Sequence, residues 1–532
     1  MKSRRSNARR VTSAAAFVLL LGMNCMAADQ VRTESGMVEG STSADGKIHI
    51  FKGIPFAAPP VGPLRWKEPQ PVPSWDGVRK ATEFGARCMQ GPIYSDMVFR
   101  DPGPSEDCLY LNVWTPAASA DAKLPVMVWI YGGGFQAGAT SEPRQDGENL
   151  AHKGVVIVSM NYRLGIFGFF SHPELTKESP HHASGNYGLM DQAAALDWVH
   201  KNIATFGGDP GKVTIFGESA GSFSVSAQMA SPVSKHLFQQ AIGESGAFFG
   251  RTLGAKSLAD SETANAKFAD SIGAKSLEAL RAMPAQQLLD AALKQKNALR
   301  FAPNIDGYFL PASPSEIYAK SEQAHVPLLA GWNHDEGSAQ QFFGKERATK
   351  ENYIAKINKD FGDKAPEVLK LFPAKTDEQA MQSAGLLATA NFIAFGTWKW
   401  IEEQQKSGVP VFRYEFDQAP PLASDASPQA KPLAYHSAEI EFVFGALDSK
   451  KLPWRPEDYK LSEQMGSYWT NFAKTGNPNG KGLAKWPQYG QKGGHQVMHL
   501  SSTPQAKADR QRKQFELLDK LSTERHHEKT GQ

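Results

Sequence analysis

The strongest constraint on this chain is a series of short, largely unbroken apolar runs set between longer amphipathic stretches. They fall at 109–114, 125–131, 155–160, 213–216, 241–243, 327–331 and 410–416. A strand with one wet face alternates apolar with polar residues, whereas a strand covered on both faces does not need to. Runs of this length therefore predict strands buried on both sides. The segment between two of them, 186–206, puts Leu189, Ala193, Leu196, Val199, Ile203 and Phe206 on one side at helical spacing. It stops at Gly207-Gly208-Asp209-Pro210, a strong helix terminator. Strands alternating with helices predict an α/β architecture: a central, mostly parallel twisted sheet flanked by helices.

At the end of one predicted strand stands Gly217-Glu218-Ser219-Ala220-Gly221. G-x-S-x-G is weak evidence alone, because Gly and Ser are common residues. Its setting is stronger: an apolar strand ends at Phe216 and a helical stretch with Val225 follows. A nucleophile elbow needs that strand–turn–helix arrangement, with small residues around the turn. Ser219 would then sit at a helix N-terminus, where N–H groups favour developing negative charge. A second, poorer match at Gly243-Glu244-Ser245-Gly246-Ala247 lacks the last glycine, so Ser245 is read as a supporting residue. Upstream, Tyr131-Gly132-Gly133-Gly134-Phe135 follows another predicted strand. Such triple-glycine loops expose amide donors to an oxyanion.

The N-terminus reads as an export signal over 1–28. Lys2, Arg4, Arg5, Arg9 and Arg10 precede a short apolar run, and Ala27 and Ala28 offer a small-residue cleavage site. The run is too short to span a bilayer. Removing these five basic residues takes the formal charge from +3 to 3 − 5 = −2. The apparent basicity belongs to the signal, so no nucleic-acid partner is expected. The remainder, 29–532, has no long Pro/Ser/Gly linker and is read as one catalytic domain, secreted or periplasmic. Two cysteines remain after the signal, Cys88 and Cys108, and an exported chain is expected to join them. No metal-ligand or dinucleotide motif stands out, so neither metal nor cofactor is expected. Residues 251–300 and 345–405 read as helical insertions over the active-site edge. A last amphipathic helix is expected at 506–521, burying Phe515, Leu518 and Leu521, with a frayed tail beyond it.

Taken together, these motifs resemble the type-B carboxylesterase family of the α/β-hydrolase fold, the family of cholinesterases and para-nitrobenzyl esterases. The resemblance also rests on Ser105-Glu106-Asp107-Cys108-Leu109, Asn161-Tyr162-Arg163-Leu164-Gly165 and Gly185-Asn186-Tyr187-Gly188, in family order. It implies hydrolysis of small-molecule carboxylic esters through an acyl-enzyme. Ser219 would be the nucleophile, Gly133, Gly134 and Ala220 the oxyanion donors, and Glu336 in Asn333-His334-Asp335-Glu336-Gly337 the acid. His436 would be the base, giving the chain order Ser…Glu…His. By residue type alone, Asp335 and His334 compete with Glu336, and no histidine stands out. The resemblance also implies a Cys88–Cys108 disulfide, ion pairs Arg65–Glu106 and Arg163–Asp191, and Glu218 and Ser245 behind the site. The segment between the cysteines holds Tyr94 and Phe99 but lacks the tryptophan of choline-binding relatives. Phe135, Phe248 and Phe249 are candidates for an acyl pocket, with core packing the alternative for the last two. The competing functions on this fold are a non-catalytic binding protein, a lipase and an amidase.

Overall fold

The computed structural model describes residues 29–250, 254–295, 299–427, 430–490 and 494–530. The expected signal at 1–28 lies outside the described residues. An eleven-stranded mixed sheet organises the chain. Its strands are β1 Ser41–Thr42, β2 His49–Pro55, β3 Tyr110–Thr115, β4 Leu124–Ile130, β5 Val156–Met160, β6 Gly208–Glu218, β7 Gln240–Glu244, β8 Leu328–Asn333, β9 Val411–Phe416, β10 Gln496–Leu500 and β11 Gln505–Ala508. Their spatial order is β11-β10-β9-β8-β7-β6-β4-β5-β3-β2-β1. From β5 through β4 to β10 every pairing is parallel; the pairings at both flanks are antiparallel. The reversal of order at β4 and β5 brings β4 beside β6, so their C-terminal ends share one edge. Ligands of open α/β sheets bind at that kind of edge.

All the unbroken apolar runs are strands of this sheet. Val126 through Ile130 in β4 and Val156 through Met160 in β5 are fully buried, as two-sided coverage requires. Helix α1 Tyr187–Asn202 buries the expected stripe, and a 3-10 turn at Ile203–Phe206 leads to Gly207 at φ +79°. Helix α2 Ala220–Ala230 follows β6 directly and is buried along its whole length. The expected insertions are helical: α3 Leu258–Ser271, α4 Leu277–Ala282, α5 Ala285–Lys294, α6 Asp377–Thr389 and α7 Phe395–Gln405.

The C-terminal expectation needs correcting. Gln505–Ala508 is the antiparallel edge strand β11, and the last helix, α8, runs over Arg512–Thr530 without ending at 521. A helix from 506 would leave the edge of β10 unpaired. Phe515, Leu518 and Leu521 are nevertheless buried as expected. Cys88 and Cys108 are joined. Arg65 forms a bidentate pair with Glu106, and Arg163 forms one with Asp191.

Candidate active site

Ser219 sits between the end of β6 and the start of α2 with φ 53° and ψ −120°. This left-handed conformation is costly for a residue with a Cβ and is held by its surroundings. The Ser219 amide donates to the Glu244 carbonyl at 2.9 Å. Gly221 permits the turn: a Cβ there would lie 1.9 Å from the Ile130 carbonyl oxygen. The hydroxyl is thereby raised above the sheet edge at the first turn of a helix.

Ser219 Oγ lies 2.8 Å from His436 Nε2, and His436 Nδ1 lies 2.5 Å from Glu336 Oε2. Glu336 Oε1 accepts the Asn333 amide at 2.9 Å and the Ser245 hydroxyl at 2.5 Å. Three segments far apart in sequence thus converge on one hydrogen-bonded series. The loops bearing Glu336 and His436 clamp each other. The Asp335 amide donates to the Ala434 carbonyl, Asp335 Oδ2 accepts the Ala434 amide, and Asn333 Nδ2 donates to the Tyr435 carbonyl. This geometry separates the acidic candidates. Asp335 is occupied in holding the loop, and His334 pairs with Glu415 at 2.8 Å. Of these three neighbours, only Glu336 reaches the imidazole.

Gly133 (φ 102°) and Gly134 (φ 64°) border the cleft over Ser219, opposite Ala220. A Cβ on Gly133 would lie 2.0 Å from the Ala137 carbonyl oxygen, which explains why the loop needs glycine there. Ala220 opens α2, and the first amides of a helix have no intrahelical acceptor. The cleft has a volume of about 350 Å³. The disulfide-closed segment contributes Tyr94, Asp96 and Met97 to its wall, and no tryptophan is among the described lining residues. Phe99 instead packs under Arg87. Of the aromatic candidates, Phe135 lines the cleft, and Phe248 stacks on it at 6.1 Å. Phe249 meets Tyr318 edge-on as core.

Buried carboxyls surround the series. Glu218 lies 3.3 Å from His436 Nε2; burial pushes it up to about 7, against the pull of His436 and Arg144. Glu244 accepts the Trp469 indole N–H at 2.7 Å, and burial pushes it up to about 8. Glu439 accepts from Asn333 Nδ2 and is also raised by burial, with Glu218 and Glu244 adding to the effect. For His436, burial opposes the charge, but Glu336 and Glu218 outweigh it and hold the imidazole above its ordinary range. Sequence reading missed Glu244, Glu439 and Phe392. Phe392 meets the His436 ring edge-on at 5.1 Å from a π-helical turn, Ala390–Ala394, between α6 and α7. Such turns are frequent at functional sites but carry no sequence signature. Among the described residues, the one group close enough to hold a metal is His334, Glu415 and Asp417, where a hydrogen-bonded ion pair already uses the histidine.

A strained serine at a strand-to-helix turn, backed by histidine and carboxylate on this sheet topology, defines an α/β hydrolase. The carboxylesterase family model matches residues 27–518. The chain is 39% identical to the para-nitrobenzyl esterase of Bacillus subtilis, over 86% of this chain and 92% of that one. It is 37% identical to the fumonisin B1 esterase of Sphingopyxis macrogoltabida, over 87% and 84%. A solved PNB esterase superposes with a TM-score of 0.78 at 36% identity, covering 91% of this chain and 98% of that one. The chain belongs to the carboxylesterase family and is an enzyme that hydrolyses carboxylic esters.

Proposed function

We propose that hydrolysis proceeds through an acyl-enzyme on Ser219, with His436 as base and Glu336 as the carboxylate that orients it. The observation that carries this reading is the continuous series Ser219 Oγ–His436 Nε2–His436 Nδ1–Glu336, at 2.8 and 2.5 Å. His436 takes the hydroxyl proton as Ser219 attacks the ester carbonyl, then returns it to the leaving alcohol. Glu336 stabilises the imidazolium formed in between. The amides of Gly133, Gly134 and Ala220 receive the carbonyl oxygen as it becomes an oxyanion. Water then enters by the same base, releases the acid and regenerates Ser219. None of these steps calls on a cofactor.

The test is a fluorophosphonate probe followed by intact mass, together with turnover of a short p-nitrophenyl ester. The mass shift and the turnover are both expected to vanish in Ser219→Ala. Labelling that persists undiminished in that variant would reject Ser219 as the nucleophile.

The same proposal includes export of the chain after removal of residues 1–28, leaving 29–532 as a single catalytic domain in the periplasm or medium. Two observations support it. The family match begins at residue 27, and one sheet draws its strands from Ser41 through Ala508. Among the described residues no helix is long and apolar enough to cross a membrane. N-terminal sequencing of the protein recovered from the periplasm and the medium tests the cleavage site.

A further inference from the structure

A second cavity opens off the Ser219 cleft, and its chemistry differs from that of the cleft. The two share Phe135 and Arg300 in their walls. The side cavity has a volume of about 110 Å³, room for several water-sized groups. Phe169, Phe248 and Phe301 make it apolar, while Arg300 and Lys256 are its charged residues; none of its described lining residues is acidic. Neither cation forms an ion pair among the described residues. Arg300 is held in place: Nη2 donates to the Gly134 carbonyl at 2.7 Å, and Gln136 Nε2 donates to the neighbouring Phe301 carbonyl at 2.6 Å. The guanidinium is thus anchored to the triple-glycine loop through one nitrogen, and among the described residues its remaining donors meet no other acceptor. The main cleft is of mixed charge, with Asp96 and Glu218 beside Arg144 and the shared Arg300.

We propose that Arg300, assisted by Lys256, binds an anionic group on the acyl arm of the substrate, so that this enzyme favours esters of acids bearing a second carboxylate. The proposal rests on Ser219 being the nucleophile. An acyl chain entering between Phe135 and Arg300 lays its methylenes on the phenylalanine walls and its far carboxylate against unpaired cations. A guanidinium offers a carboxylate paired, charge-assisted hydrogen bonds, stronger than neutral ones.

The experiment compares kcat/KM for ethyl hydrogen adipate, diethyl adipate, ethyl hexanoate and the hexanoyl ester of 3-hydroxypropanoate, following released acid by chromatography. Wild type is expected to favour ethyl hydrogen adipate over ethyl hexanoate about tenfold, the size of one hydrogen bond to a charged group, mainly through KM. That ratio should fall about tenfold in Arg300→Gln, which keeps a donor for Gly134 but no charge. It should survive largely in Arg300→Lys. Taking a ratio within each variant cancels any loss of folded enzyme. A ratio at or below one in wild type would overturn the proposal. So would a preference for the carboxylate on the alcohol arm, or equal losses on charged and neutral esters in Arg300→Gln, the signature of a mere strap. Turnover of ethyl hexanoate surviving in Ser219→Ala would instead refute the nucleophile.

Discussion

The Ser245 hydroxyl donates a hydrogen bond to Oε1 of Glu336, while the opposite oxygen of that carboxylate faces the His436 imidazole. The serine of the poorer G-x-S-x motif thus stands three hydrogen bonds from Ser219, through Glu336 and His436, and on the proposed mechanism it is a positioning residue. Its hydrogen bond, with that of the Asn333 amide, fixes the carboxylate in place. Ser245→Ala removes one of these two donors from a buried charge, a loss of about 1.5–3 kcal/mol. We expect kcat to fall at least tenfold with KM little changed. An unchanged kcat would show that the Asn333 amide alone suffices.

Glu336 and Asp335 are neighbours with different tasks, and paired substitutions separate them. Glu336→Gln keeps the shape but can no longer support the imidazolium or fix its tautomer. For such a change kcat is expected to drop on the order of 10⁴-fold. Asp335→Ala should instead remove the acceptor of the Ala434 amide and loosen that clamp, lowering Tm with a much smaller effect on kcat. If the two losses in kcat were reversed, the assignment of the acid would be wrong.

The contrast between these neighbours shows where sequence is informative. The central strands were readable because burial on both faces leaves no room for polar alternation, as in β4 and β5. The strand-to-helix turn at Ser219 was readable because it demands small residues at 217 and 221. The edge strand Gln505–Ala508 was not, since QAKA is partly exposed and has no apolar pattern. Nor could spacing choose Glu336 over Asp335, or pick His436 among the histidines, without the family resemblance. That choice is made by contacts between residues 333–336 and 434–436, a hundred positions apart. Phe392, Arg300, Glu244 and Glu439 act through the tertiary neighbours they meet, and nothing local marks them.

The pH dependence of catalysis follows from the carboxylates facing His436. Burial favours the neutral imidazole, but Glu336 and Glu218 together favour its proton. The base must be unprotonated to act, so kcat/KM should rise with pH through an apparent pKa above the ordinary histidine value of about 6.5. Glu218→Gln removes one of these negative charges, which makes the imidazolium less stable and moves that acid limb to lower pH. The check is the kcat/KM profile of both proteins on an uncharged ester. A limb that stays put or moves upward contradicts the electrostatic role given to Glu218.

Glu244 gives a stability counterpart. It is fully buried, and burial raises it to about 8, despite the Trp469 N–H on one oxygen and with Glu218 adding to the rise; its other oxygen has no hydrogen-bond partner among the described residues. Unfolded, the same group titrates near 4.5. Between those values the native state keeps a proton that the unfolded state has released. Stability from this group is therefore fully present below about 4.5 and lost as pH rises toward 8. Glu244→Gln has the same shape, still accepts the indole N–H and cannot ionise, so it escapes this loss. Scanned at one fixed rate, the variant should gain in Tm over wild type as pH goes from 5 to 8, with little difference at the acid end. A gap that stays flat or narrows over this range would mean that Glu244 is already ionised in the folded protein, with its charge met by a partner that the neutral form does not need.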